Sequence, residues 1–366
     1  MLNEFAEKLR KSVIALGGSY NAHLHLDRAG TLESVSALTE SNSWSARLER
    51  KHSLIELVHQ TDHYCDESLI ERALKYTGLI AKCGSSVAET FVDVTADGVG
   101  LRAATQFAKA REALRDDIAL RLGAYNPLGF KKTDSRSIKL LKQALDFCDF
   151  IGALPERDDI SKYPDHIGFE QSSILHYELA LENECDLHVH VDQRNDPFQC
   201  ETERFLDAIE TLYKIPAAGN PPQVWLVHFI SPSRYDDKRF KDLMHRLAFL
   251  NIGIICCPSA ALSMRQLRKR VSPTSNSIAR VLDLCSSSVH VRLGCDNIAD
   301  VASPAGTPDL IEELVNLSNA ERFYDIDILS TIGAGKKLSD NQRRQVISHL
   351  ELDQAAIDEM MAELRV

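Results

Sequence analysis

Asn21-Ala-His-Leu-His-Leu-Asp27 has the alternation of polar and apolar residues that is typical of a β-strand. Along a strand, His23 and His25 point to the same side, about 7 Å apart along the backbone. Two imidazoles in that arrangement can bind one divalent metal ion. Two ordinary histidines would give the same pattern, so the interpretation depends on further ligands elsewhere in the chain.

Three further segments end in side chains that suit the same ion. They are His188-Val-His190, the single His228, and Asp296, each at the end of an apolar run that is typical of a strand. Imidazole nitrogens together with a carboxylate favour zinc or ferrous iron, and manganese accepts the same ligands. Water bound to such an ion has a pKa near neutrality, so this set of residues favours hydrolytic chemistry.

Short β-rich runs alternate with longer amphipathic patterns along the chain. The predicted strands are Ser19–His25, Ser86–Val94, Ala119–Tyr125, Phe150–Leu154, Asp186–Asp192, Gln223–Phe229, Ile252–Cys257 and Val289–Asp296. Eight β-then-α units predict an α/β fold, a (β/α)8 TIM barrel, whose C-terminal mouth would gather all the candidate ligands. The alternative is a doubly wound open sheet, but no Gly-x-Gly-x-x-Gly follows the first predicted strand.

Composition argues against two classes of protein. The formal charge of −11 and the pI of about 5.6 do not suit a protein that holds nucleic acid by its phosphates. The nearest basic cluster, Arg265-Gln-Leu-Arg-Lys-Arg270, is a single short run. No apolar run reaches the roughly 18 residues of a membrane span, and the acid-containing N-terminus is unlike a secretory signal. We therefore expect a cytoplasmic protein that binds neither nucleic acid nor a membrane.

The order of the motifs resembles the amidohydrolase superfamily, and its cytosine-deaminase-like branch in particular. The resemblance covers residues 19 to about 335 and rests on motifs at four predicted strands. They are His23-Leu-His-Leu-Asp27, Gly152-Ala-Leu-Pro155, His190-Val-Asp-Gln-Arg-Asn-Asp-Pro197, and Leu293-Gly-Cys-Asp-Asn-Ile298 followed by Pro304-x-Gly306.

The resemblance implies a single divalent ion and a set of ligands for it. The implied ligands are His23, His25, His190 and Asp296. His228 is expected to hold or deprotonate the attacking water. The family pattern places its ligand at His190, so we expect His188 to lie lower in the barrel against a neighbour.

One departure from the family concerns proton transfer. Deaminases of this branch carry Glu directly after His-x-Asp, whereas this chain has Gln193. An amide cannot shuttle a proton, and such help is typically worth about 10²–10⁴-fold in rate. Substitute carboxylates are Asp192, Glu89 and Glu156, or Asp296 itself takes the proton. The catalytic candidates are Asp296, His228 and Gln193, the last because it occupies the position of the family's Glu.

A second departure concerns domain organisation. The histidine pair comes about twenty residues from the start, which leaves no room for the complete β-sandwich that many relatives build around the barrel. We predict a catalytic barrel over residues 1–338, with a long first βα connection at 28–67. Residues 339–366 have a helical pattern and form a predicted C-terminal extension, which packs on the barrel or at a subunit contact.

Substrate recognition is expected to involve polar residues near the strand ends. The candidates are Asn297, Glu156, Asn126 and Asp192. Asn297 stands where relatives usually have an acid, and its amide both donates and accepts hydrogen bonds. Arg157 or Arg265 would pair with a substrate carboxylate.

The hypothesis from sequence is a metal-dependent, deaminase-like hydrolase acting on a C–N bond of a small cyclic nitrogenous compound, pyrimidine-like or triazine-like. Ring opening of a cyclic amide and release of a substituted amine are alternatives within the same chemistry. Because of Gln193, a catalytically impaired barrel that still binds metal and ligand is a further alternative. The expected partner is a small heterocyclic substrate, and a homo-oligomer is left open.

Overall fold

Eight parallel strands close into a barrel in chain order, β1 to β8. The computed structural model describes residues 3–32, 48–213, 221–264, 276–300 and 303–363. The strands are β1 (Ser19–Leu24), β2 (Ser85–Asp93), β3 (Ala119–Tyr125), β4 (Phe150–Ala153), β5 (Asp186–Val191), β6 (Val224–His228), β7 (Gly253–Cys256) and β8 (Val291–Leu293). The predicted (β/α)8 barrel is confirmed, and the described residues contain no second sheet.

Helices follow most strands, as the crossover connections of a parallel sheet require. They are α1 (Glu4–Ala15), α2 (Leu48–His59), α3 (Asp66–Lys82), α4 (Arg102–Ala113), α5 (Ser135–Ala144), α6 (Phe169–Glu182), α7 (Glu201–Tyr213), α8 (Asp237–Phe249), α9 (Pro258–Leu262), α10 (Val281–Ser286), α11 (Leu310–Glu321), α12 (Ile326–Gly333) and α13 (Asp340–Glu363).

The crossover helices form because their apolar residues recur every three or four positions and because caps satisfy their first amides. In α3, Leu69, Ala73 and Ile80 are fully buried against the barrel. Burying one leucine side chain contributes about 1.5–3 kcal/mol to stability. The Asp236 carboxylate caps α8 by accepting from the Arg239 N–H at 2.9 Å.

Aromatic side chains fill the barrel interior, and glycines on neighbouring strands make room for them. A Cβ on Gly123 would lie 2.3 Å from the Phe150 ring, and one on Gly253 would lie 2.4 Å from Trp225. Phe150 also stacks on His188, with ring centroids 4.3 Å apart. These side chains therefore pack the interior of the barrel below the mouth, as in other barrels of this type.

The C-terminal helix α13 has two different halves. Val346 is fully buried, which anchors the first half on the barrel. In the second half Leu352 is 72% exposed and Met360 is 62% exposed. The division of the chain into a barrel over 1–338 and an extension over 339–366 stays a prediction.

Candidate metal centre

Backbone geometry at the strand ends delivers the candidate ligands to one place. The Asp296 N–H donates to the His23 carbonyl at 2.9 Å, and the His25 N–H donates to the Asp296 carbonyl at 3.2 Å. His228 is the last residue of β6 and has a φ of 75°, while Asp296 has a φ of 60°. Positive φ is uncommon for residues other than glycine and is found at functional sites, where it aims a side chain that a regular strand would point elsewhere.

The side chains lie at distances that suit ligands of one ion. Asp296 Oδ1 is 3.5 Å from His23 Nε2 and 3.6 Å from His25 Nε2. Ligand atoms of His23, His25 and His190 all lie within 4.8 Å of one another, as do those of His23, His228 and Asp296. Two ligands that are each about 2.1 Å from a tetrahedral ion are about 3.4 Å apart.

Buried polar atoms without partners mark the same point. Within the described part of the chain, no hydrogen-bond partner is found for either ring nitrogen of His23, for Asp296 Oδ1 or for His228 Nδ1. Leaving such groups unpaired in the interior is costly. A divalent cation between them would satisfy the lone pairs, so the residues present fit a metal ion.

The orientation of His190 is fixed from behind. Its Nδ1–H donates to the Ala153 carbonyl at 3.2 Å, which leaves Nε2 as the lone-pair nitrogen facing the centre. Such contacts commonly set the tautomer of metal-binding histidines. His190 therefore presents the nitrogen that a metal requires.

His25 is in a different situation, because Arg28 Nη2 donates to its Nδ1 at 2.5 Å. A neutral imidazole that accepts at Nδ1 carries its proton on Nε2. Binding of an ion at Nε2 therefore requires Arg28 to exchange this acceptor for another. Burial first, and Arg28 next, lower the pKa of His25 well below its usual value.

Two titratable groups of the centre are held in forms that suit hydrolysis. Burial lowers the pKa of His228 to about 4, so the ring is neutral at pH 7. Burial alone would raise the pKa of Asp296, but His23, His228 and Arg28 outweigh that effect and the pKa is lowered. The centre therefore combines a neutral imidazole with an ionised carboxylate.

A cavity of about 90 Å³ is lined in part by His25, His190, His228 and Asp296. Its polar lining includes Gln193, Asn297 and Asp300. Gln193 Nε2 is buried and has no hydrogen-bond partner among the described residues. Asp300 accepts from Asn297 Nδ2 at 2.5 Å and from the Ser303 N–H at 2.9 Å.

Three of the predicted substrate-binding residues lie outside the lining of this cavity. The Asn126 side chain closes its own turn, donating to the Gly129 carbonyl at 2.8 Å and accepting from the Leu128 N–H. The Asp192 carboxylate accepts from the first amides of α7, at 2.9 Å from Glu201 N and 3.1 Å from Thr202 N. Local capping therefore accounts for both side chains, although each follows a strand end.

Glu156 is the third of these residues and pairs with cations. Its carboxylate contacts Arg194 and accepts from Lys162 Nζ at 3.1 Å. Arg157 donates to the Tyr163 hydroxyl at 2.7 Å and also lies outside the cavity lining. Arg265, the other proposed carboxylate partner, lies outside the described residues.

Glu89 and His188 lie deeper in the barrel. Glu89 accepts from the Tyr20 hydroxyl at 2.8 Å and forms an ion pair with Arg121. His188 Nε2 is 3.9 Å from the Glu89 carboxylate. Neither Glu89 nor His188 lines the cavity, and among the described residues no hydrogen bond is formed by either ring nitrogen of His188.

Arg28, Tyr125 and Asp300 are cavity residues to which the sequence assigned no role. Arg28 directly follows the histidine motif, and Asp300 lies four residues after Asp296. Their closeness to these motifs in the sequence is the feature that could have identified them as cavity residues. Tyr125 ends β3 and packs on His190 with ring centroids 5.4 Å apart. A charged residue beside a motif is ordinarily solvated, which is why its burial could not be predicted.

Behind Arg28 lies a buried ion-pair network that carries a testable pH dependence. His59 contacts Asp93 Oδ2 at 3.0 Å through Nε2 and Asp97 Oδ2 at 2.7 Å through Nδ1. Burial lowers the pKa of His59, but hydrogen bonds to the two carboxylates outweigh it and raise the pKa to about 9.

Because the unfolded value is about 6.5, charged His59 stabilises the fold fully below that pH, and the contribution is lost as the pH rises through about 9. We expect the stability difference between the wild type and His59→Gln to shrink by about 3 kcal/mol between pH 6.5 and pH 9.5. Urea denaturation of both proteins at each pH measures this. A difference that is independent of pH would contradict the pairing.

No protein-family model matches the sequence. A protein of Haemophilus influenzae that is described only as uncharacterized is 28% identical over 279 residues, which cover 76% of this chain and 94% of that protein. Because no activity is described for this relative, its similarity assigns none to this chain.

Solved structures share the fold. A 5-methylcytosine deaminase from Klebsiella pneumoniae, liganded with 5-fluorocytosine, superposes with a TM-score of 0.72 at 20% identity, over 86% of this chain and 72% of its own. An N-isopropylammelide isopropylaminohydrolase from Burkholderia multivorans gives 0.65 at 17% identity, over 91% and 82%. A zinc-bound amidohydrolase from Burkholderia ambifaria gives 0.55 at 13% identity, over 98% and 95%.

None of the helices in the described part of the chain has the length and hydropathy of a membrane span. The barrel fold implied by the resemblance is confirmed, and this chain shares it with the three solved structures.

Proposed function

We propose that this chain is a metal-dependent amidohydrolase that hydrolyses a C–N bond of a small cyclic nitrogenous compound. The observation that carries the proposal is the convergence of four buried histidines and one aspartate at a small cavity, where polar atoms of His23, His228 and Asp296 have no hydrogen-bond partner among the described residues. The shared fold with deaminases and amidohydrolases supports it. Zinc or iron is the proposed ion, bound by His23, His25, His190 and Asp296.

A divalent ion held by these residues would lower the pKa of a coordinated water and polarise the carbon under attack. Asp296 is ionised, and in the proposal its carboxylate removes the proton of the attacking water. Neutral His228 accepts a hydrogen bond from that water through its lone-pair nitrogen and fixes the direction of attack. The exclusion of bulk water by the buried walls strengthens each of these contacts.

The leaving nitrogen needs a proton when the C–N bond breaks and the new C–O bond forms. Gln193 is an amide and cannot supply one, so its Nε2 donor is assigned to orienting the substrate. Among the described residues that line the cavity, the carboxylates are Asp296 and Asp300. Asp296 carries the proton from water to nitrogen, and Asp300 holds the loop through its contacts with Asn297 and Ser303.

A substrate screen tests the proposal. The zinc-loaded and iron-loaded enzymes are incubated with amino-pyrimidines, amino-triazines, N-alkylamino-triazines and cyclic imides, and both released ammonia or amine and ring-opened product are scored. We expect hydrolysis in one of these classes and none in protein freed of metal. Turnover that survives complete metal removal would reject the proposal.

A second candidate function is a metal-containing binding barrel that has lost catalysis, and the observation that favours it is Gln193. The two functions differ in the effect of Gln193→Glu. If Asp296 already transfers the proton, we expect this variant to change kcat by less than about tenfold. A gain of about 10² or more, toward the full value of general acid–base help, would favour the impaired barrel. The matched control is Gln199→Glu, a buried glutamine outside the cavity lining.

A further inference from the structure

Arg28 is a buried cation in the wall of the substrate cavity. The residue is 7% exposed and lies in the lining beside His25 and Asp296. Burial lowers the pKa of Arg28, but Asp93 and Asp27 outweigh it and the pKa is raised, so the guanidinium is charged. A full positive charge therefore faces the space where a substrate binds.

The protein contacts of Arg28 use only part of its guanidinium. Nη2 donates to His25 Nδ1 at 2.5 Å and to Asp93 Oδ1 at 3.5 Å, and Nε lies 3.4 Å from Asp93 Oδ2. Within the described residues, no hydrogen bond is formed by Nη1. When His25 presents Nε2 to an ion, its Nδ1 carries a proton, and Nη2 then needs a new acceptor as well.

Two carboxylates pair with Arg28 from behind. Arg28 Nε lies 3.4 Å from Asp93 Oδ2 and 3.9 Å from Asp27 Oδ1. Asp93 is also shared with charged His59 through a 3.0 Å contact and accepts from the Tyr64 hydroxyl at 3.0 Å. These contacts use Nε and Nη2, so Nη1 is the part of the guanidinium that remains for a ligand.

A second unpaired donor belongs to a residue of the same cavity. Gln193 Nε2 has no hydrogen-bond partner among the described residues, whereas Asp300 already accepts from Asn297 and Ser303. Apart from the atoms of His228 and Asp296 that are assigned to the metal and the attacking water, Arg28 Nη1 and Gln193 Nε2 are therefore donors that remain for a substrate. Donors of this kind match oxygen acceptors, and a guanidinium binds an anionic oxygen far better than a neutral one.

We infer that Arg28 determines specificity by binding an anionic oxygen of the substrate. The chemical class is a small nitrogen heterocycle that carries an ionised ring oxygen or a carboxylate, in contrast to a neutral amino-heterocycle. This inference rests on the proposed function for the identity of the cavity as a substrate site. It adds the charge of the substrate, which the metal centre alone does not define.

Binding of three probes to the zinc-loaded protein tests the inference by calorimetry. Barbiturate carries an ionised ring oxygen, orotate carries a carboxylate, and cytosine is neutral. We expect one of the two anions to bind at least tenfold more tightly than cytosine, and the preferred anion identifies the source of the charge. Arg28→Gln should weaken the binding of that anion by about 10- to 100-fold and the binding of cytosine by less than about threefold.

Arg204→Gln is the matched control, because Arg204 pairs with Asp159 at 2.6 Å, in the connection that follows β4, and lies outside the cavity lining. It should leave the binding of all three probes unchanged. Zinc content and melting temperature of Arg28→Gln identify a variant that has lost its fold, and Arg28→Lys, which keeps the charge, should retain part of the anion preference.

Equal binding of the neutral and anionic probes, or an anion affinity that survives Arg28→Gln in a folded, zinc-loaded variant, would overturn the inference. No measurable binding of either anion to the wild type would overturn it too. These outcomes are independent of turnover. If the enzyme hydrolyses neutral substrates and Arg28→Gln has no effect, the proposed function stands and the inference fails. If anions bind in a manner that depends on Arg28 but no substrate is hydrolysed, the inference stands and the proposed function fails.

Discussion

Asp296→Asn should lower kcat by a factor of about 10²–10⁴ at saturating metal, because an amide cannot accept the proton of the attacking water. The substitution keeps the size of the side chain, and the backbone contacts of residue 296 with His23 and His25 do not involve the carboxylate. The fold should therefore persist. Steady-state kinetics on a substrate from the screen, with melting temperature and metal content measured in parallel, check this result.

The control for local disruption is Cys295→Ser, one residue away. Cys295 Sγ accepts from Asn21 Nδ2 at 3.1 Å and does not line the cavity. A serine hydroxyl keeps that acceptor, so kcat should change by less than about threefold. Retention of more than a tenth of wild-type kcat by Asp296→Asn would show that another group performs the proton transfer.

Removal of the metal should abolish turnover and destabilise the fold. Without an ion, the buried His23 nitrogens and Asp296 Oδ1 have no partners, and the unfolded chain does not gather these ligands. An ion at 1,000 times its dissociation constant adds about 4 kcal/mol to the free energy of unfolding. Thermal denaturation across a series of free zinc concentrations, buffered by dipicolinate, measures the effect.

The melting temperature should rise continuously with free zinc, and His23→Ala should remove that dependence. Val13→Ala is a suitable control, since it destabilises a core helix position far from the mouth and should leave the zinc dependence intact. A melting temperature that does not respond to zinc, iron or manganese would contradict a metal centre at this position.

The barrel was predictable because its strands are short apolar runs separated by amphipathic segments. The predicted strand Ala119–Tyr125 agrees with the observed bounds of β3. Strand β8 is shorter than predicted and ends at Leu293, because a local turn interrupts it before Asp296, which has a φ of 60° and pairs with Leu24 through an isolated bridge. Hydropathy does not report such a turn, although the turn is what aims the carboxylate.

The convergence of the metal-site side chains was also predictable, since residues at the carboxyl ends of barrel strands share one mouth. The substrate-binding residues were not predictable, because several polar side chains at the strand ends form hydrogen bonds within the loops and do not reach the cavity. Asp192 caps α7 and Asn126 closes a turn, and both uses depend on contacts formed only in the fold. In the same way, Arg28 is buried against Asp93, which lies at the end of β2 and far from Arg28 in the sequence.

Anomalous diffraction from crystals of the metal-loaded protein, recorded on both sides of the metal absorption edge, tests the central claim most directly. The account predicts one strong peak within about 2.0–2.3 Å of nitrogen or oxygen atoms of His23, His25, His190 and Asp296, with His228 beside the open position. A peak elsewhere, or no peak in crystals with a full equivalent of bound metal, would contradict it.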